Sequence, residues 1–303
     1  MSPQTKPSIA IVIPSGPGGK ELTLDTLESV EAYCEVPYIA LIVDDNTDDR
    51  TYEALRALNR SNWKIFRNRR KQGINRLVHT LCFAYNEVIA STGCELVLKM
   101  DQDALMIKQG IVTEALEFAK RNPRAGLFGI YEVDYDRPRE FSTHRRLIDR
   151  ETAWYRAIIG RQPSWIRFLE IAERNGYIRG DNVFGGSYFI TRNCLLAAKK
   201  LGALDVPWHW HSALQEDVYF SMVTIASGFR LGHFAAPKGH LCMDWRGLPF
   251  PAEILSAGNF QLVHSVDKGK NTGPKENGGK TARQVFRDLR NVSSAAGQTM
   301  TSS

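Results

Sequence analysis

The sequence predicts an α/β fold with a mostly parallel central sheet flanked by helices, and three observations predict it. The apolar, β-branched runs at 9–13, 38–43 and 96–98 read as strands buried on both faces. Stretches with apolar residues at helical spacing separate them, giving the order strand, helix, strand, helix, short strand, helix, strand. The three long strands end in Pro14-Ser15-Gly16, Asp44-Asp45-Asn46 and Asp101-Gln102-Asp103. Ligands of open parallel sheets bind beyond the carboxyl ends of the strands, so these ends predict one polar edge.

Taken in order, helices are predicted at 22–33, 50–59 and 76–91, with a short strand at Trp63-Lys64-Ile65-Phe66 between the last two. A helix at 111–121 and a strand at 126–131 follow. Residues 132–180 are less regular and rich in Arg and aromatics, with a helix at 164–175; this stretch is expected to shape a substrate site. A strand at 183–190, a helix at 193–201 and a loop holding Trp208-His209-Trp210-His211 come next. Gln215-Glu216-Asp217 opens a helix at 218–227, and a strand pair is expected through 229–233 and 239–241. Beyond 265 the chain becomes Gly-, Lys-, Asn- and Ser-rich, so 266–303 is expected to be a basic, flexible tail with a basic segment at 283–292.

With 303 residues, 43% of them hydrophobic and 24% charged, the chain can bury a substantial core. It contains no apolar run of membrane-spanning length, and its first residues lack the apolar stretch of a signal peptide, so a cytoplasmic protein is expected. Cys34, Cys82, Cys94, Cys194 and Cys242 are widely spaced and form no C-x-x-C pair, which predicts reduced thiols rather than a disulfide framework or a zinc ribbon. A net charge of +6 suits an anionic ligand or an acidic membrane surface, while no motif supports nucleic acid as a partner.

The Asp101-Gln102-Asp103 segment carries the most chemistry. In an extended chain residues i and i+2 face the same side, so both carboxylates can meet one cation while Gln102 faces away. Mg²⁺ or Mn²⁺ takes one or two carboxylates and fills its remaining positions with water and phosphate oxygens. An isolated D-x-D also reads as a solvated turn; its place after a buried strand gives it the other meaning. Gly16-Pro17-Gly18-Gly19 lacks dinucleotide-loop spacing, and its proline removes a phosphate-binding N–H, so it reads as a turn. Arg67, Arg70, Lys71 and Arg76 form a basic cluster, one member of which can meet a diphosphate.

The segments IAIVIP, IALIVDDNTDD, VLKMDQD, GGSYFITRN and QEDVYFSM, in that order, resemble the inverting GT-A-fold glycosyltransferases of family 2, over residues 8–242. The resemblance implies a GT-A fold in one domain at 1–265, with a nucleotide-sugar-binding half at 8–110 and a smaller acceptor-binding half at 111–265. It further implies a nucleotide-sugar donor, taken as a UDP-sugar, a divalent Mn²⁺ or Mg²⁺, and inverting transfer to a hydroxyl of a glycan, a lipid-linked acceptor or another acceptor. Asp45 would bind the nucleobase, with Pro14 and Ser15 against base or ribose, and Asp48 would cap the next helix. Arg76 would meet the diphosphate. Asp101 would lie near ribose and metal, and Asp103 on the metal. A third ligand would be His240, with His233 competing.

Asp217 would be the base and Glu216 would position the acceptor or support the loop, although acidic residues there also read as helix caps. Gly185 and Gly186 would border acceptor and donor sugar, and Trp208 and Trp245 would stack on acceptor sugar. A sugar-1-phosphate nucleotidyltransferase, and an inactive nucleotide-sugar-binding scaffold, are the alternatives. The basic segment of the tail would touch anionic lipid or a partner, giving peripheral contact with the inner face of a membrane.

Overall fold

The computed structural model describes residues 7–46, 48–71, 77–134, 137–205, 212–234 and 239–300, with backbone only at 134, 137, 239 and 293–300. The elements run β1 (Ile9–Ser15), α1 (Lys20–Tyr33), β2 (Tyr38–Asp44), α2 (Thr51–Ala57), β3 (Trp63–Arg67), α3 (Leu77–Ser91), β4 (Leu96–Met100), β5 (Leu105–Met106), α4 (Ile111–Arg121), β6 (Ala125–Gly129), β7 (Val133–Asp134) and β8 (Arg137–Pro138). The chain continues through α5 (Ser142–Glu151), α6 (Trp154–Ile158), α7 (Ile166–Arg174), β9 (Ser187–Thr191), α8 (Arg192–Lys200), α9 (Glu216–Ala226), β10 (Arg230–His233), β11 (Gly239–Met243), α10 (Ala252–Ala257), β12 (Asn259–His264) and α11 (Ala282–Met300).

Seven strands form the central sheet in the order β10-β6-β9-β4-β1-β2-β3. All neighbours are parallel except β9, which runs antiparallel to both β4 and β6. The apolar runs are buried on both faces, and their period-two alternation sends side chains to two cores. Ala10, Val12, Leu41 and Val43 enter one core with α3, α7, α8 and α9, while Ile9, Ile11, Ile13, Ala40 and Ile42 enter the other with α1 and α4.

A second sheet of order β11-β12-β5 leaves the first directly after the D-x-D segment. β10 pairs with β6 in the main sheet and β11 pairs with β12, so the expected pairing of 229–233 with 239–241 does not form. The second sheet has its own core, in which Leu105, Cys242, Phe260 and Val263 meet Leu255 of α10 and Val285 and Phe286 of α11. The segment expected as a flexible tail is therefore docked as far as its helix, and this core crosses residue 265. The low apolar content of 268–280 gave no sign that the basic amphipathic segment behind it packs on a core. Among the described residues no helix is long and apolar enough to cross a membrane.

Charge anchors the docked helix. Asp25 of α1 is 1% exposed and accepts from Arg283 and Arg290 at 2.5 Å and from Arg287 at 3.1 Å. Burial would raise its pKa, but the arginines outweigh burial and hold the carboxyl below its ordinary value. Arg283 also pairs with Asp267 at 2.6 Å and Arg290 with Glu28 at 3.0 Å, so each buried guanidinium keeps a second acid. Asp25→Ala is expected to cost about 3 kcal/mol, the low end for breaking a buried pair because those second acids remain. The shift in urea midpoint measures it. Since the folded carboxyl is depressed, its stabilisation is present at neutral pH and fades as pH falls below about 4, whereas the variant loses that part of the acid dependence.

Candidate active site

Strand pairing builds the first half of the site. β5 follows Asp103 immediately and pairs antiparallel with β12, Val263 opposite Leu105. Continuing that register brings His264 and Ser265 to Ala104 and Asp103. The His264 Nε2 lies 3.2 Å from Asp103 Oδ1 and 3.6 Å from Asp101 Oδ2, and the Ser265 hydroxyl donates to Asp103 Oδ2 at 2.5 Å. One ligand atom from each of Asp101, Asp103 and His264 falls within a 4.8 Å cluster able to hold a metal ion. Burial opposes the charge on Asp103, yet His264 and Ser265 hold that carboxyl well below its ordinary range.

Lys99 joins this cluster to a second acidic group. Lys99, Asp101 and Asp103 alternate to the same side at the end of β4. The Lys99 ammonium is fully buried and donates to Asp101 Oδ1 at 2.6 Å, to Glu216 Oε1 at 3.1 Å and to the Gly185 carbonyl, using all three protons. Burial works against its charge, but the two carboxylates outweigh it and keep the amine protonated. With one oxygen held by Lys99, Asp101 turns the other toward His264. Gly185 and Gly186 leave room for this convergence. A Cβ on Gly186 would stand 2.3 Å from His264 Nδ1, and one on Gly185 would stand 3.0 Å from Glu216 Oε1 and 3.1 Å from Asp217 Oδ2.

Asp217, in the first turn of α9, is 8% exposed. Its Oδ2 accepts from the Asn182 amide at 2.8 Å and its Oδ1 from the Val218 N–H at 2.8 Å. Burial and the neighbouring Glu216 charge push its carboxyl up to about 7, against the pull of Val218, Lys99 and Arg139. Asn182 is fully buried, and its carbonyl oxygen lies 3.1 Å from His144 Nδ1 of α5. An amide oxygen only accepts, so His144 carries its proton on Nδ1. Arg139 donates to the backbone carbonyls of Ile130 and Asn182 and lies over the Phe184 ring. Arg139, His144 and Asn182 thus stand behind Asp217.

The remaining edge lies at β1 and β2. Asp44 is fully buried and paired with Arg67 at 3.0 Å, which leaves Asp45 as the strand-end carboxylate, bonded to Asn68 at 2.9 Å. The Asp45 N–H donates to the Ser15 carbonyl, and the Ser15 hydroxyl meets Thr23 at 2.8 Å. Helix α2 is entered through Asp49, whose Oδ1 accepts from the Thr51 N–H and hydroxyl, rather than through Asp48. The Gly16–Gly19 turn is held by Gln102, which accepts from the Gly16 N–H at 2.7 Å, so the residue between the two aspartates faces away and locks their loop to α1.

His240 is not with Asp101 and Asp103. It pairs with Phe260 in the β11–β12 ladder, four residues before His264, or about 13 Å along the strand. There it meets Glu114 at 2.8 Å and Gln261 at 3.2 Å and stacks on Phe234. His233 accepts from the N–H groups of Tyr131 and Glu132. The place expected for either belongs to His264, in a strand that the sequence reading left out. Trp245 is 69% exposed beneath the Arg246 guanidinium, just beyond β11. Arg76 and Trp208 lie outside the described residues. Lys99, Asn182, His144, Arg139 and His264 were all missed. Lys99 had a signal, being a lysine inside an apolar strand in phase with both aspartates.

Residues 11–185, more than half the chain, match the sequence profile described as Glycosyl transferase family 2. The chain belongs to that family. The fold agrees with a GT-A glycosyltransferase, Mannosyltransferase PcManGT from Pyrobaculum calidifontis in complex with GDP-Man and Mn²⁺. That structure matches with TM-score 0.50 and 14% identity over 89% of this chain and 60% of its own. TarS from S. aureus matches with TM-score 0.44 and 14% identity, over 75% of this chain and 35% of its own. This family 2 chain therefore spans about 60% of the mannosyltransferase's length. Comparison with curated protein sequences gives no match.

The close approach at Gly186 yields a test of the family 2 site. Gly186→Ala is expected to displace the His264 ring and weaken Mn²⁺ binding by roughly tenfold or more, as changes beside a ligand do. His264→Ala should lose as much, and the double variant no more than either. Titration calorimetry with Mn²⁺ reads all three, and unchanged affinity in His264→Ala would remove the imidazole from the ligand set.

Proposed function

We propose that this family 2 glycosyltransferase uses a divalent cation and transfers a hexosyl group, with inversion, from a nucleoside-diphosphate sugar to a hydroxyl of a glycan or lipid-linked acceptor. One observation carries the reading: the Asp101, Asp103 and His264 cluster and the Glu216–Asp217 pair converge on Gly185–Gly186 and share Lys99.

The donor set fits a small divalent ion. Two half-buried carboxylates and an imidazole Nε2 lie within reach of one another, and a nitrogen donor favours Mn²⁺ over Mg²⁺. Asp101, Asp103 and His264 would hold the ion, which when bound supplies positive charge to the departing diphosphate. Asp45 and Ser15 flank the place for the base. A carboxylate there accepts from the ring N–H of uracil, which makes a UDP-sugar the first choice. Guanine also offers ring and exocyclic N–H groups, and the mannosyltransferase with the same fold was obtained with GDP-Man.

Asp217 takes the proton from the acceptor hydroxyl as that oxygen forms its bond to the anomeric carbon, and the bond to the diphosphate breaks on the opposite face. Asn182 orients the carboxylate, and His144 orients Asn182. Glu216, tied to Lys99, positions the acceptor. Trp245 is exposed one residue past Asp244, whose N–H donates to the His264 carbonyl, and would offer a ring face to sugar.

Two outcomes test this. With UDP-sugar and Mn²⁺ the protein should release UDP slowly even without acceptor, and Asp103→Ala should abolish release. Asp217→Asn should lower transfer by about 10² to 10⁴-fold, the usual worth of a general base, while donor affinity measured by calorimetry stays the same. Lost donor affinity would take Asp217 out of the base role.

The pH profile gives a further check. A base titrating at about 7 must be ionised, so kcat/KM should rise roughly tenfold per pH unit below that value and level off above it. The same shift has the opposite sign for stability. The folded carboxyl titrates above its unfolded value, so its contribution is complete below about 4 and is lost as pH rises through about 7. A profile flat between these values would overturn the assignment.

A further inference from the structure

Among the described residues, four exposed large apolar side chains stand together at 154–159, including the two most exposed: Trp154 at 76%, Ile158 at 73%, Ile159 at 56% and Tyr155 at 46%. They form α6 and its first following residue, and α6 has no buried residue at all. Trp154 and Ile158 are one turn apart, as are Tyr155 and Ile159, so the four make two adjacent ridges of one surface. The Trp154 and Tyr155 rings touch edge to face at 6.4 Å. Nothing in the core needs this helix. A short helix that spends four large apolar residues on water is kept for something it meets.

Arginine predominates in the chain around it, with Glu151 and Glu170 at the two ends of the stretch. Residues 152–169 contain Arg156, Arg161 and Arg167 and no Asp or Glu. Arg146 and Arg150 of α5 are exposed just before it. Nearby carboxylates are already engaged, Glu151 with Ser212 and Ala213 and Asp149 with Arg179. We propose that α6 and its arginine rim dock on the surface of an anionic lipid bilayer. Tryptophan and tyrosine prefer the headgroup level, isoleucine prefers the acyl region just beneath, and arginine pairs with lipid phosphate.

The aliphatic pair decides among occupants. An aromatic platform for sugar would have no use for Ile158 and Ile159, nor would a phosphate-binding surface for nucleic acid. A second copy brought face to face would set like arginines against each other. The position matters as well. Helix α5, which leads into α6, carries the His144 that orients Asn182 behind Asp217, so the bilayer would lie on the acceptor side of the site. That consequence rests on the functional reading above; the docking itself does not.

The test is sedimentation of the full chain with vesicles of phosphatidylcholine alone or mixed with phosphatidylglycerol. The protein should partition onto the mixed vesicles, with binding reduced by high salt. Trp154→Ser with Ile158→Ser should lower that partition by roughly tenfold or more. Arg150→Glu with Arg161→Glu should remove the preference for anionic lipid. Both pairs should keep the wild-type melting temperature and Mn²⁺ affinity, which separates lost docking from lost folding or a lost site. No partition, or partition that survives Trp154→Ser with Ile158→Ser, would overturn the proposal. So would self-association in light scattering that this pair abolishes, which would assign the face to a second copy.

Discussion

A buried ammonium group is the constraint on which the site depends. Lys99 lies inside the central sheet with no access to water, where an unpaired charge would cost several kcal/mol. Its three protons are taken by three separate pieces of chain: Asp101 after β4, Glu216 at the start of α9 and the carbonyl of Gly185 before β9. None of these can move far without leaving the charge unsatisfied. The geometry linking the metal-side cluster to the acidic pair is therefore set by the cost of burying one lysine, more than by contacts between the two groups themselves.

The C-terminal third completes what the central sheet begins. The end of β4 delivers Asp101 and Asp103; β12 brings His264 to them through its pairing with β5. Docking of the second sheet rests in turn on α10 and α11, and α11 is held to α1 by Asp25. Arg283 also donates to the Gln102 carbonyl, the backbone between the two aspartates, and Thr26 of α1 donates to the same oxygen. The loop that carries the carboxylates is thus fastened from behind by the helix at the far end of the chain. The basic C-terminal segment thus has a structural purpose, with Arg283 and Arg290 buried against Asp25.

How much of this could be read from residues alone depended on sequence distance. The strands of the first hundred residues, the 111–121 helix and the carboxylates at strand ends follow local periodicity, and the structure places each where that pattern implies. His264 did not, because its partner lies 161 positions earlier and the link between them is a two-residue strand, too short to leave a periodic trace. His240 was attractive only through its position in order along the chain. Asn182 and His144 sit in a stretch without periodicity, where no pattern marks an inward-facing residue. Lys99 was legible: a charge at a buried strand position demands partners, and its phase points to the side of Asp101.

The two adjacent acids show how one helix turn can assign different roles to similar groups. Glu216 accepts from the Lys99 ammonium at 3.1 Å, so one of its oxygens is already engaged. Asp217, one residue on, faces the buried Asn182 amide and feels the Glu216 charge beside it, and its carboxyl is pushed up to about 7. Neighbouring carboxyl groups in such different surroundings suit a division of work between an ion-paired group and a proton acceptor. An acid that titrates near neutrality is a stronger base than one held at an ordinary carboxylate value, and it is still ionised for much of the time. On this argument the proposed base is Asp217 rather than Glu216, because Lys99 engages the one and leaves the other facing Asn182.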